Sequence, residues 1–462
     1  MTSFETVTPI DNSVIAVRTR PTDADIDAAL TLASRAFEAW RETAIGRRIE
    51  LLERAVDAFV SWEGEIASEI TSQIGRPIAY SGGEVIGFET RARTMLRLAP
   101  EALAPHVPAA IAGFERSIER VPLGTVVVLA PWNYPFLTAV NAVIPALAAG
   151  NVVVLKHSDQ TPLAAERMYA AFQAAGLPVG VFQYLHINHD QVAKTIADPR
   201  VAYVCFTGSV AGGHAVQQAL SGTFTASGLE LGGKDPAYVR EDANLEHAIA
   251  SIADGIFFNS GQSCCGIERV YVNERHFGTV VDGLVAFAEQ LKFGDPRDPV
   301  TTLGPMVKTA AANAVRSQID MAVRQGARAL VDPRKFASDT GTTAYLAPQI
   351  IIGCDHTMAI MNEETFGPVA GVMPVCSDDE AVRLMNDSRY GLTASIWTRD
   401  REAAHAVGER LETGTVFMNR CDYLDPELAW TGVKESGRGA TLSRLGFDYL
   451  TRPRSFHFRL NV

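Results

Sequence analysis

Three side chains in this sequence are suited to carbonyl chemistry: the thiol of Cys264, the carboxylate of Glu230 and the amide of Asn133. Cys264 lies in the run Gly261-Gln262-Ser263-Cys264-Cys265. A thiol is the best neutral-pH nucleophile among the side chains, with a free pKa of about 8.5. Added to an aldehyde carbonyl it gives a thiohemiacetal, whose carbon can release hydride to an acceptor. The glycine before it gives the backbone room for a turn that presents the thiol. Standing alone, a free cysteine is more often a buried small hydrophobe. Glu230, in Glu230-Leu231-Gly232-Gly233-Lys234, could remove a proton from the water that attacks a thioester. Its plainer alternative is a solvated residue at the end of a strand. Asn133, in Pro131-Trp132-Asn133-Tyr134-Pro135, could donate to the oxygen that turns negative as the thiolate adds. The backbone N–H of Cys264 would be the second donor, and one such donor is worth about 10²–10³ in rate. A turn asparagine bonded to its own backbone is the alternative.

Two further segments stand out beside these, Phe206-Thr207-Gly208-Ser209 and, downstream, Glu363-Glu364-Thr365-Phe366-Gly367-Pro368. With all five in this order and spacing, the chain resembles the aldehyde dehydrogenase superfamily from about residue 20 onward. The resemblance implies NAD(P)-dependent oxidation of a small aldehyde to its acid, through a thiohemiacetal and then a thioester on Cys264. It assigns Glu230 as the base and Asn133 as an oxyanion donor. Relatives that pass the acyl group to coenzyme A usually lack a carboxylate at the position of Glu230, so hydrolysis is expected. A coenzyme A-acylating enzyme and a non-catalytic protein on the same scaffold are the alternatives. Neither a GxGxxG after a strand nor a GxxxxGK[ST] occurs, which leaves an ordinary Rossmann dehydrogenase or a P-loop enzyme poorly supported.

The same resemblance lays the dinucleotide across the first α/β unit. Lys156 and Asp159 would face the adenosine ribose. A carboxylate there repels a 2′-phosphate, so NAD is expected, with NADP as the alternative because Asp is shorter than the family's usual Glu. His157 also replaces a usual proline. Ser209 is placed to cap a helix whose N-terminus suits the pyrophosphate. Gly208 and Gly213 permit close approach, and the Trp132 indole can donate to the same group. Leu231 joins the cofactor site. Glu364 would hold the nicotinamide ribose, and Phe366 would pack near the ring, although alone it reads as core. Phe136, Phe258 and Trp430 are candidates to line the substrate pocket. His186 and His189 lack a third ligand at suitable spacing, so no metal is expected.

These groups need rigid elements to hold them. Ile26, Leu30, Ala33, Phe37 and Trp40 form the stripe of an amphipathic helix, with Thr22 or Asp23 as its cap. A second stripe runs from Ile49 through Leu52, Val56 and Phe59 and on through Ile66 and Ile70, to a stop at Gly75 and Pro77. Beyond residue 118 come nearly all-apolar runs, among them Thr125–Leu129, Val152–Leu155, Gly180–Tyr184, Val201–Phe206 and Tyr345–Ile352. Strands buried on both faces by crossover helices read this way. The expected class is α/β: two doubly wound open-sheet domains, one for the cofactor and one for catalysis, plus a small β oligomerisation arm. The resemblance implies residues 1–103 and 123–232 for the first domain, 233–431 for the second, and 104–122 with 445–462 for the arm. The tail alternates as a strand without a sequence neighbour, so subunit association as a homodimer or homotetramer is expected.

The balance of 41 basic and 53 acidic residues gives a net charge of −12, which argues against a nucleic-acid partner. The most apolar stretch, Phe136 to Leu155, is broken by Asn141, Pro145, Gly150 and Asn151, and reads as a buried helix and strand, with no membrane contact expected. No basic-then-apolar leader is visible, and six cysteines without a CxxC pair suit a reduced, cytoplasmic protein.

Overall fold

The computed structural model describes residues 2–461. Its first sheet has six strands, in the spatial order Gly437–Arg438, Ala226–Glu230, Val201–Thr207, Thr125–Ala130, Val152–His157 and Phe182–Tyr184. All neighbours run parallel except the Gly437–Arg438 edge. Every residue of Thr125–Ala130 is buried, as expected for a strand covered on both faces. The chain leaves this central strand toward one edge and then returns to its other side at Val201–Thr207. That reversal opens a crevice at the carboxyl ends of the strands, where such sheets bind ligands. Trp132, Lys156, Ser209 and Glu230 all stand at those ends.

The second sheet has seven strands: Arg328–Ala329, Gln349–Ile352, Val369–Val375, Ile267–Asn273, Asp235–Val239, Thr393–Trp397 and Thr415–Met418. Only the Arg328–Ala329 edge is antiparallel. Alternate residues serve opposite faces. Ala237, Val239, Val270 and Val272 enter one apolar cluster, while Tyr238 and Tyr271 enter another. The class expected from the buried apolar runs is therefore present, twice.

The helix over Asp23–Trp40 forms with Thr22 as its cap, in a reciprocal capping box with Asp25. The second stripe needs correction. It is two helices, Ile45–Val60 and Glu63–Ile74, broken at Ser61 and Trp62. The apolar period carries across the break, and the new helix begins with Glu63, Gly64 and Glu65 in its first turn. Gly75 then ends it in the left-handed region, with φ 78°. The strands end differently from the apolar runs: Phe182–Tyr184 and Gln349–Ile352 are shorter, and Val152–His157 continues through Lys156.

The tail strand Thr451–Arg459 pairs antiparallel with Phe114–Pro122, from Thr451 opposite Pro122 to Arg459 opposite Phe114. An N-terminal hairpin, Ser3–Val7 with Val14–Thr19, was not expected. Among the described residues no helix is long and apolar enough to cross a membrane. Helix Pro135–Ala148 and strand Val152–His157 account for the most apolar stretch.

Candidate active site

The nucleophile loop follows helix Leu245–Phe257. Asn259, Ser260 and Gly261 take left-handed conformations in succession, with φ of 52°, 56° and 68°. For the two non-glycine residues this costs on the order of 1–3 kcal/mol each, so the surroundings must over-determine it. Ser260 Oγ donates to the Gly304 carbonyl at 2.9 Å. Asn259 accepts from Arg76 Nε at 2.9 Å and donates to the carbonyls of Asn133 and Gln262, both at 3.2 Å. Gln262 accepts from the Val307 N–H at 2.7 Å. At Gly261 a β-carbon would fall 2.1 Å from the Gly367 carbonyl oxygen, so only glycine lets the Glu363–Pro368 segment lie against this loop. The loop delivers Cys264 half-buried.

Asn133 is brought to the same place. It is buried, and its Nδ2 donates to the Gln262 carbonyl at 3.1 Å. Its own carbonyl accepts from Arg76 Nη2 at 2.6 Å. Arg76 pairs with Glu84 at 2.5 Å in full burial, and its guanidinium lies 4.6 Å over the Tyr134 ring. Glu84 also accepts the N–H groups of Phe136 and Leu137, at 2.9 and 3.0 Å, in the first turn of helix Pro135–Ala148. One buried ion pair thus fixes the turn that carries the amide donor.

Glu230 ends its strand beside this pair of loops, but its carboxylate is turned elsewhere. Thr441 donates to one oxygen at 2.5 Å and Thr207 to the other at 3.2 Å. It lines a cavity with Asn141, Cys205, Thr441 and Arg438, and neither Cys264 nor Asn133 is part of that lining. Burial pushes its carboxyl above the ordinary value, against both hydroxyls. Three residues on, a β-carbon at Gly233 would meet the Cys264 carbonyl oxygen at 2.2 Å, so this strand end touches the nucleophile's backbone.

The far side of Cys264 holds groups the sequence did not announce. Cys265 is buried and donates its Sγ–H to Asp422 Oδ1 at 2.7 Å. Contact with the Cys264 thiol, then burial, raises the Cys265 thiol well above its ordinary value. Burial lifts Asp422 to about 6.

Glu268 organises the cofactor-side segment. It accepts from Lys234 Nζ at 2.6 Å and from the N–H groups of Thr365 and Phe366 at 2.8 and 2.7 Å. This holds Phe366 in the left-handed region, with φ 52°, and edge-on to Trp132 at 5.7 Å. Glu364 accepts the Gly233 N–H at 3.1 Å, and burial, then Glu268, pushes it up to about 7. Leu231 packs against Gly213, where a β-carbon would meet its Cδ2 at 2.8 Å. Ser209 Oγ accepts the Gly212 N–H at 3.1 Å and caps helix Val210–Leu220. The space above Gly208 is filled by the Phe206 ring.

Lys156 lies 3.7 Å from Asp159, and burial lowers its ammonium. Asp159 is not the lone carboxylate expected, because Arg20 of the N-terminal hairpin pairs with it at 2.5 Å. Asp159 Oδ1 and Arg20 Nη1 are buried yet have no hydrogen-bond partner. A helix N-terminus capped by Ser209, ribose-type donors and acceptors, and these unmet atoms at the switch point of a parallel sheet suit a dinucleotide. His157, in place of the usual proline, is a buried strut: Nε2 bonds the Pro135 carbonyl at 2.9 Å, and burial lowers it to about 4.

Of the expected pocket aromatics, Phe136 is core, packed on Phe59 at 4.9 Å and fully buried. Trp430 is buried in the same core, and Phe258 lies half-buried on Tyr80.

Residues 1–456 match the aldehyde dehydrogenase family. Succinate semialdehyde dehydrogenase [NAD(P)+] Sad from Escherichia coli is 35% identical over 91% of this chain and 90% of its own. Succinic semialdehyde dehydrogenase from Streptococcus pyogenes, solved with NADP+, superposes at a TM-score of 0.93 with 29% identity, covering 99% of this chain and 100% of that one. Betaine aldehyde dehydrogenase from Staphylococcus aureus, solved with NAD+, gives 0.94 with 27% identity, covering 100% and 92%. The chain belongs to the aldehyde dehydrogenase family, as an NAD(P)-dependent enzyme that oxidises an aldehyde to its carboxylic acid.

Proposed function

We propose that Cys264 is the nucleophile, Asn133 the oxyanion donor and Glu230 the base of this oxidation. What supports it most is the convergence on one strained loop: the Asn133 amide reaches Gln262, and Gly233 abuts the Cys264 carbonyl. The Cys264 sulfur adds to the aldehyde carbon, and the oxygen takes the negative charge. The second hydrogen of the Asn133 amide and the Cys264 N–H stabilise that oxygen. NAD(P)+, when bound, supplies the hydride acceptor. Loss of hydride leaves a thioester on Cys264. Glu230 then takes a proton from water, whose oxygen adds to the acyl carbon; the carbon–sulfur bond breaks and the acid leaves. Because Glu230 is held by Thr207 and Thr441 away from Cys264, it must swing inward for this step. Trp132, Lys156, Asp159, Gly208, Ser209, Gly213, Leu231, Glu364 and Phe366 form the cofactor's bed, in a domain of residues 1–103 and 123–232. Residues 233–431 form the catalytic domain.

The substrate ends in a carboxylate. The Escherichia coli and Streptococcus relatives are named for succinate semialdehyde. Half-buried Arg91 bonds only neutral oxygens, Leu137 O at 2.7 Å and Asn141 Oδ1 at 3.3 Å. The pair Phe114–Pro122 and Thr451–Arg459, its tail strand mostly exposed, is an association arm for a cytoplasmic homodimer or homotetramer. The test is a panel of aldehydes with NAD+ or NADP+, followed at the reduced-nicotinamide band. Turnover of succinate semialdehyde without coenzyme A is expected; turnover only with coenzyme A would reject hydrolysis.

A further inference from the structure

The N-terminal hairpin is not merely packed against the cofactor sheet; it delivers a cation to the ribose end of it. Arg18 forks onto Glu166 at 2.6 and 2.8 Å. Thr6 Oγ1 donates to the Asp159 carbonyl at 2.8 Å, and Gln160 Nε2 donates to the Val7 carbonyl at 3.0 Å. So docked, the hairpin ends with Arg20, its guanidinium 4.5 Å over the Phe4 ring and its Nη2 on Asp159. Phe4 in turn lies edge-on to His186 at 5.7 Å, which ties the hairpin to the loop after Phe182–Tyr184.

The cluster holds two cations, Arg20 and Lys156, and one anion, Asp159. It therefore carries one uncompensated positive charge beside the place where the adenosine ribose belongs. Both cations are nearly shut off from solvent, while Asp159 is the more exposed member, at 39%. Nη1 of Arg20 is an unmet donor, and Oδ1 of Asp159 an unmet acceptor. A buried donor left unpaired is held at a cost that a ligand can relieve. The chemistry of the pair separates by ligand: a carboxylate accepts from ribose hydroxyls, and a guanidinium beside it accommodates a phosphate on the same ribose. Repulsion of a 2′-phosphate by Asp159, expected from the sequence, is cancelled by Arg20.

We propose that Arg20, carried by the N-terminal hairpin to the side of Lys156, is the residue that admits a 2′-phosphate on the adenosine ribose. Arg20 keeps Asp159 engaged when the ribose bears a hydroxyl. The exposed carboxylate turns to solvent when it bears a phosphate, which then accepts from the Arg20 guanidinium and the Lys156 ammonium. The inference rests on the cofactor bed proposed above.

Calorimetric titration of the intact protein with NADP+ and NAD+ tests it without reference to turnover. NADP+ is expected to bind within about tenfold of NAD+ or more tightly, with a steeper loss of affinity as salt rises. Arg20→Met is expected to weaken NADP+ at least about tenfold and NAD+ less than about threefold, and Arg20→Lys to recover part of the difference. Asp159→Asn is expected to weaken NAD+ and strengthen NADP+. Should Arg20→Met fail to fold, the wild-type protein still decides, since adenosine 2′,5′-bisphosphate must bind more tightly than adenosine 5′-monophosphate. NADP+ weaker than NAD+ by more than about tenfold, or an equal loss of both in Arg20→Met, would overturn the subsite while leaving the cofactor bed standing. Failure of both dinucleotides to bind would overturn the bed and the subsite together.

Discussion

The Thr441 hydroxyl donates to Glu230 Oε1 at 2.5 Å, and together with the Thr207 hydroxyl it holds the base in a cavity behind the strand end. Burial raises the Glu230 carboxyl, and Thr441 and Thr207 pull it back. The base acts as carboxylate, so deacylation is expected to speed up as pH rises through its elevated pKa. Thr441→Val removes the larger of the two stabilising bonds to the charged form. The alkaline-going limb of the steady-state rate is expected to move up by about one pH unit, since a hydrogen bond to a charge is worth about 1.5–3 kcal/mol. A pH–rate profile checks this; an unmoved limb would detach Thr441 from the base.

Asp422 offers a stability test with a defined sign. Its folded pKa of about 6 lies above the ordinary 3.8. The fold therefore favours the protonated acid, and stability is lost as pH climbs through that window, by up to about 3 kcal/mol. Asp422→Asn keeps an acceptor for Cys265 without the charge. Thermal unfolding is expected to show it more stable than wild type at neutral pH and no more stable near pH 4.

The Arg76–Glu84 pair carries the Asn133 turn. Glu84→Gln leaves the guanidinium buried without its counter-charge, which costs about 3–5 kcal/mol. Denaturant melts are expected to show that loss. The double variant Arg76→Met with Glu84→Gln is expected to regain part of the stability but not the rate, because only the longer bond from Asn259 then holds the Asn133 carbonyl.

Arg91 is the expected anchor for a substrate carboxylate. Arg91→Met is expected to raise KM for succinate semialdehyde at least about tenfold, in line with a lost charge-assisted bond, and to leave an uncharged aldehyde of equal length within about threefold. Equal changes for both substrates would place Arg91 in the scaffold alone.

Much of this was legible in the sequence. The stripe ending at Trp40 gave its helix, and the apolar runs gave the strands, because burial writes a periodic pattern into neighbouring residues. Ser209 was readable as a cap for the same local reason. Single charged residues that meet across the fold leave no such trace. Arg76 reaches Asn133 from 57 positions away, and Arg20 reaches Asp159 from 139. The only local trace of the N-terminal hairpin is the β-branched run Val14–Thr19 after the turn at Asn12, whose φ is 61°. The break at Ser61 and Trp62 has no proline, and Gly64 just beyond it falls inside the next helix, so the apolar stripe hides it. Phe136 reads as a pocket residue because such pockets are lined by aromatic side chains, but its place in the helix turns it to the core.

The most direct measurement is mass analysis of the peptide bearing residue 264 after Glu230→Gln is mixed with NAD+ and aldehyde. With the base removed, the thioester should persist, and an acyl adduct is expected on Cys264 alongside a burst of reduced cofactor of about one equivalent per site. Cys264→Ser should show neither. A burst without any adduct on that peptide, or full turnover by Cys264→Ser, would contradict covalent catalysis by this sulfur.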